Sequence, residues 1–591
     1  MIFEFIDYHL KHPSAYASAF VCGKLALKER KNGTGKGAMK MRPLPLRSQV
    51  RFSACFLFLV FLLIFGQVQA QPEGGLKALA VFDVKVFGAS GEKSENAQAA
   101  IQKAVDACAA AGGGMVYLPP GEYSSGTIRL RSHVCFFLEA GAILYSIKDK
   151  NAFDKDALFY GEDLVDITLE GRGTVNGEGA YEMRPKGDFR DDFIYPNQVE
   201  MEKRGLPLTR SFPKANQFGK LVLLLRCKDI RISGLSFIDS PSWTIHPYGC
   251  ERMVIDGVYI RSSLREGVWA DGIDPDGCKD LRISNCTIET GDDALVFYSM
   301  NWFGPALPCE DITVTNCRLS SASSAIKFCD GNMNCIRNVT IDNCVITGSN
   351  RGVAFMTFDG GYVSDVVISN LTIECVRHDW FWWGDGEPFH FNIRKRSEVH
   401  KNWKKEDDRP AGSIRNVLIQ NVIARGRGSS VCNGHLESWL DGITIDNVKL
   451  FISHDAGAPY DKAVHALTFK QAKNLKLRNI EVFWEAPGYD QWKSALFLED
   501  IQGLELEGFS GGPAKSGTEE PAIVLNQVED ARVSESKALA GTSVFCEIRG
   551  ERSRNISFVG NDLLQARVPY RLAPNVKPGA VTATGNLVID Q

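Results

Sequence analysis

Apolar and polar residues alternate along this chain in short runs that end on asparagine or glycine, and the runs recur. The unit reads apolar-x-apolar-x-(Asn or Gly). It occurs at 167–171, 230–234, 254–257, 281–285, 312–316, 339–343, 366–370, 417–421, 443–447, 475–479, 504–508 and, more weakly, 531–535. Between Gly234 and Asn370 the spacings are 23, 28, 31, 27 and 27 residues. Period-two alternation predicts strands with one buried face. Each unit is too short for a crossover helix plus a strand, so the chain is expected to be all-β, a right-handed parallel β-helix. A propeller is the rival architecture, but its period is about 40 residues or more. Buried asparagines bonding backbone groups are expected at each corner.

Residues 71–145 read as an opening module with the first coils. A strand at 81–87 is followed by helical spacing of Ala, Ile and Val over 94–111, which stops at Gly112, Gly113 and Gly114. A strand at 115–118 and a turn at Pro119-Pro120-Gly121 follow. The helix is expected to cap the open end of the array. The β-helix is expected over 146–570, with a tail at 571–591. Two stretches break the period, 178–218 and 377–410, and long loops on a stacked scaffold commonly carry function.

Composition is globular: 591 residues, 44% hydrophobic and 23% charged. Residues 39–70 have the form of a secretory signal, with Lys40, Arg42, Arg47 and Arg51, an apolar run at 52–65, and small residues before Gln71. The run is shorter than the ~20 residues of a spanning helix. Export and no membrane span after cleavage are therefore expected, with residues 1–38 an upstream start artefact. Residues 1–70 carry ten Lys+Arg and three Asp+Glu, so removing them from a chain of net charge −4 leaves −11. That charge argues against nucleic acid as a partner.

Sixteen cysteines in an exported chain invite a disulfide reading. Their spacing argues otherwise. Cys227, Cys250, Cys278 and Cys309 each precede a corner residue by seven, and Cys286, Cys317 and Cys344 each follow one directly. Such columns predict free thiols stacked in the core. No CxxC or His-rich spacing predicts a metal, and no cofactor is expected. Oligomeric state is left open.

Chemistry concentrates between Trp269 and Phe297. Asp271, Asp292 and Asp293 sit beside glycines at strand ends, and grouped carboxylates suit acid–base work. Glycine there is expected to leave room for a ligand. Asp293, Ser324, Arg351 and His378 each lie eight residues after a corner, which predicts one column of groups at the ~4.8 Å strand spacing. The column would end beside Trp382 and Trp383, a candidate sugar-stacking wall, with Glu387 and His390 placed to bond hydroxyls.

These residues resemble glycoside hydrolase family 28, the polygalacturonase-like enzymes. The motifs are Ser240-Pro-Ser-Trp-Thr-Ile-His-Pro247, Ala270-Asp-Gly-Ile-Asp274 and Gly291-Asp-Asp-Ala294. The resemblance implies a β-helix that hydrolyses glycosidic bonds with inversion, Asp292 as general acid, and Asp271 and Asp293 activating water. Carbohydrate is the implied partner, and His246, Trp269 and Tyr298 join the substrate-binding candidates. The sequence also departs from the family. Asn-Thr-Asp becomes Trp269-Ala270-Asp271, and Gly-His-Gly becomes Ser323-Ser324-Ala325. The uronate-gripping Arg-x-Lys falls on Ala354-Phe355-Met356, and Tyr298 stands in place of a lysine. Lys327, Arg351 and His378 are candidates for displaced cations on the substrate. A polysaccharide lyase or epimerase, and a non-catalytic glycan-binding β-helix, are the alternatives. The insertions favour exo action.

Overall fold

Each repeat folds as three short strands around one coil, and successive coils pair strand on strand. A computed structural model describes residues 80–589, apart from 189–208, 214–218, 268, 379–383, 400–402, 455–462 and 487. In the coil that carries the acids, the first strand Lys279–Ser284 points Leu281 and Ile283 inward and Arg282 to solvent. Asn285 turns the corner at φ 58°, and the second strand Thr287–Thr290 follows. The third, Leu295–Ser299, is buried throughout.

All three ladders are parallel. Leu281, Ile312 and Val339 pair in one, Ile288 and Leu319 in the second, and Phe297, Phe328 and Phe355 in the third. The fold is a right-handed parallel β-helix, as the repeat predicts. Inside the third ladder, Phe297, Phe328, Phe355 and Phe391 stack one per coil at centroid separations of 5.1, 4.3 and 4.5 Å. This column forms the floor under the coils that bear the acids. The helix Gln98–Ala110 buries Ile101, Ala104, Val105 and Cys108 against the first coils.

The corners differ from expectation in one respect. Their asparagines are exposed, and several bond to a side chain at or beside the corner of the coil before, as Asn285 does to Asp256. Asn316 Nδ2 donates to Asn285 Oδ1 at 2.6 Å, and Asn447 Nδ2 to Asn421 Oδ1 at 2.8 Å. A left-handed corner turns the side chain outward, where amides stacked one coil apart satisfy one another.

The second insertion is not one loop. Glu387–Ile393 lies inside 377–410 and is a strand of the third ladder, pairing with Arg351–Thr357 and Ser430–Asn433. The first insertion carries an antiparallel hairpin of Met183–Asp188 and Thr209–Pro213. The expected tail also contributes, since Val581–Thr584 extends a ladder by pairing with Arg554–Val559.

The fourteen cysteines among the described residues are free. Those of the two columns bond backbone carbonyls: Cys250 Sγ donates to Leu224 O at 3.4 Å, and Cys286 Sγ to Ser284 O at 3.1 Å. Residues 1–38 and the expected signal at 39–70 lie outside the described residues. Among those described, no helix is long and apolar enough to cross a membrane.

Candidate active site

Asp271 and Asp293 stand on adjacent coils. Ile273 bridges Leu295 in parallel register, and the Gly272 N–H donates to Asp293 O at 3.0 Å. This approach requires glycine at 272, because a Cβ there would lie 2.3 Å from Ala294 O. At Gly291 a Cβ would meet Ser263 O at 2.3 Å. Both glycines make room for neighbouring backbone rather than for a ligand, which corrects the expectation from sequence.

Each acid has different surroundings. Asp293 Oδ1 accepts from Ser323 Oγ at 2.8 Å and from the Ser324 N–H at 2.9 Å, and its Oδ2 accepts from Lys327 Nζ at 2.8 Å. These three donors fix the orientation of the Asp293 side chain. Ser323 and Ser324 thus occupy the altered Gly-His-Gly segment as donors to Asp293. Burial disfavours the Lys327 charge, but Asp293, Cys329 and Asp330 together outweigh it and hold the ammonium well above its usual range. Asp292 Oδ1 accepts from the Asp293 N–H at 3.0 Å and its Oδ2 from the Trp269 N–H at 3.2 Å. Trp269 adopts φ 69°, a strained conformation for a bulky residue, and that turn aims its N–H at Asp292.

Asp271 is buried, and burial pushes its carboxyl well above the carboxylate range, with Asp292, Asp274 and Asp293 adding repulsion. Asp274 is fully buried nearby, and burial raises it likewise. Among the described residues, no nitrogen or hydroxyl donor reaches either Asp274 oxygen. The acids open into a cleft of about 660 Å³. Trp243, Trp269, Tyr298, Trp302 and Trp403 wall it. Trp243 stacks on Tyr298 at 4.8 Å and 20°, with Trp302 against them at 5.0 Å from Trp243.

Of the substrate-binding candidates, Trp269, Tyr298 and Lys327 line this cleft. His246, Arg351, His378 and Glu387 lie elsewhere. His246 is fully buried under Trp243, Trp302 and Phe303, with its Nε2 3.7 Å from Asp276 Oδ2, so it reaches no ligand in the cleft. The predicted column holds from Asp293 through Ser324 to Arg351 and then departs. Glu387, not His378, pairs with Arg351, because residues 376–386 intervene before the chain rejoins the ladder. His378 Nε2 instead lies 2.9 Å from Gly348 O. Arg351 Nε donates to Glu387 Oε1 at 2.7 Å, and both are buried away from the cleft. His390 Nδ1 lies 3.2 Å from Glu387 Oε1. Trp382 and Trp383 lie outside the described residues.

Several lining residues are absent from the sequence reading. Arg396 Nη1 donates to Asp330 Oδ2 at 2.9 Å, and its Nε to Asp359 Oδ1 at 3.1 Å. Trp403 comes from the same insertion. Trp243 stands within the quoted Ser240–Pro247 motif, and Trp302 follows the acids by ten residues. Their only sequence signal is aromatic residues near acids.

A parallel β-helix with clustered carboxylates in an aromatic cleft defines a carbohydrate-active enzyme. Residues 108–379 match the family model described as "Glycosyl hydrolases family 28". The chain is 26% identical over 371 residues to a "Probable polygalacturonase" of Vitis vinifera, covering 58% of this chain and 68% of that one. Its fold is similar to a hyperthermoactive exopolygalacturonase from Thermotoga maritima, with TM-score 0.50 and 20% identity over 70% of this chain and 93% of that one. It is likewise similar to a family 28 exopolygalacturonase of Yersinia enterocolitica, with TM-score 0.51 and 15% identity over 74% and 79%. The family match over residues 108–379 and the polygalacturonase relative together support a glycoside hydrolase of family 28, of the polygalacturonase-like kind.

Proposed function

We propose that the protein is exported and hydrolyses O-glycosidic bonds of a pectin-like or other complex glycan with inversion, releasing sugars from chain ends. The observation that carries this reading is the arrangement of acids: Asp271 and Asp293 on adjacent coils, Asp292 between them in the chain, and Lys327 on Asp293. Burial and the neighbouring Asp292 raise the Asp271 carboxyl, so a proton is held on that side of the site. Asp292 delivers it to the leaving glycosidic oxygen. Water attacks the anomeric carbon from the opposite face and gives its proton to the Asp271–Asp293 side, which restores the proton count. A positioned acid contributes about 10²–10⁴-fold.

Arg396 and Trp403 support action at chain ends, because the second insertion brings them into the cleft wall. The apolar run at 52–65 behind a basic stretch supports export.

Proton NMR of the first-formed anomer tests the mechanism. An inverted anomer is expected, and a retained one overturns the assignment. Products that absorb in the ultraviolet would mark a lyase. Glycan binding without new reducing ends would mark a binding protein.

A further inference from the structure

Among the described residues, five carboxylates line the cleft, Asp271, Asp292, Asp293, Asp330 and Asp359, against two cations, Lys327 and Arg396. Both cations are engaged in an alternating chain. Lys327 Nζ lies 2.8 Å from Asp293 Oδ2 and 3.5 Å from Asp330 Oδ1. Arg396 bridges Asp330 at 2.9 Å and also pairs with Asp359. Three acids and two bases leave this chain at net −1. Among the described residues the cleft therefore carries more acids than bases. Lys220 approaches the Trp243 ring at 5.7 Å but pairs with Asp156 at 3.5 Å. Arg351 is turned to buried Glu387. Apart from Ser242 and Gly331, the rest of the wall is aromatic or sulfur-bearing, with Met300, Cys329 and Met333 beside the tryptophans and Tyr298.

From this balance we infer that the sugar held beside the acids is uncharged: a neutral glycosyl residue that lays a C–H face on the aromatic wall. A uronate there meets like charge with every described cationic group of the cleft already matched to a carboxylate, and like-charge juxtaposition is strongly unfavourable at a desolvated site. An uncharged ring keeps its hydroxyls for the carboxylates and covers the indoles. The inference rests on the hydrolytic reading for its biology, but it can be tested without turnover.

The test uses oligosaccharide pairs that differ only at C6, a uronide and its carboxyl-reduced counterpart, in the galacto, gluco and manno series. Each is titrated against the Asp292→Asn protein by tryptophan fluorescence. The neutral member of at least one pair is expected to bind, and about tenfold or more tighter than its uronide. Asp359→Asn, which frees one guanidinium bond, is expected to narrow that gap by strengthening the uronide alone. Wild-type enzyme on native and carboxyl-reduced polysaccharides is expected to release neutral sugar. A uronide that binds more tightly than its reduced partner overturns the inference, as does a uronate as the main released sugar. Binding by no neutral glycan overturns it too. Neutral sugar bound but never released leaves this inference standing and removes the hydrolytic reading instead.

Discussion

Lys327 donates to Asp293 across one coil at 2.8 Å, and both side chains are almost fully buried. The ammonium that the chain offers in place of the family's uronate-gripping pair is therefore bound to a candidate catalytic carboxylate. Removing one partner of a buried pair leaves an uncompensated charge, at a cost of about 3–5 kcal/mol. Lys327→Met is expected to lower unfolding stability by that order and to depress turnover, since Asp293 then loses the ammonium that holds its side chain in place. Denaturant unfolding and kcat at two pH values check this. An unchanged midpoint with unchanged kcat rejects the role.

Asp292→Asn and Asp271→Asn are each expected to cost roughly 10²–10⁴-fold in kcat. The double variant should fall little further, because groups that act as a unit are not additive. Near wild-type turnover in either single variant removes that residue from the mechanism.

Asp274 links the site to pH. Burial raises its carboxyl well above the usual range, against opposition from a hydrogen bond with Asp271 and from Lys220, and with Asp293 and Asp292 adding repulsion. The unfolded carboxyl ionises near ~3.9, so above that pH the folded chain binds the extra proton and stability falls as pH rises. Asp274→Asn removes that titration. Its melting temperature is expected to exceed wild type at pH 7, with the difference shrinking towards pH 4. Asp330 has the opposite sign. Burial opposes its charge, but Lys327 and Arg396 hold it far below the usual range, so its contribution is lost as pH falls. Melting curves across pH 4–8 that run parallel for wild type and Asp274→Asn would refute the assignment.

The coil repeat was legible because corner geometry selects residues. Asn285, Asn316, Asn343 and Asn370 all adopt left-handed φ, which asparagine and glycine tolerate best. Counting from those corners placed Asp293, Ser324 and Arg351 in one column. It failed at His378, because a count carries no information on residues that leave the ladder and return. The partner of Lys327 was hidden for another reason. An offset fixes the coil and the face of a residue, but not whether its charge points along the ladder or out to a ligand. Arg396 and Trp403 sit in a segment with no period at all.

The cysteine columns make a separate claim. Cys227, Cys250, Cys278 and Cys309 lie on successive coils, as do Cys286, Cys317 and Cys344, and each is free. Mass analysis of denatured protein, alkylated without reduction, is expected to show those seven carrying label. Mass shifts that show most of them paired would refute it.

Trp302 and Phe355 separate binding from packing. Trp302 is half-exposed at the cleft, whereas Phe355 is fully buried in the floor stack. Trp302→Ala is expected to raise KM several-fold with little change in melting temperature. Phe355→Ala is expected to cost about 3–5 kcal/mol of stability. A reversed pattern, with Trp302→Ala unfolding early and binding normally, would remove Trp302 from the substrate wall.

The register of the third ladder also bears on how such a site can evolve. Each coil sets a single residue at a given position of the ladder, as Asp293, Ser324, Arg351 and Glu387 do in turn. A mutation on one rung alters the chemistry at one position and leaves the hydrogen-bonded frame of its neighbours intact. Wall residues on the coils after Asp293 can therefore vary while the rungs of Asp271 and Asp293 stay in place. An ancestor could exchange the rungs that choose the sugar while keeping those that break the bond.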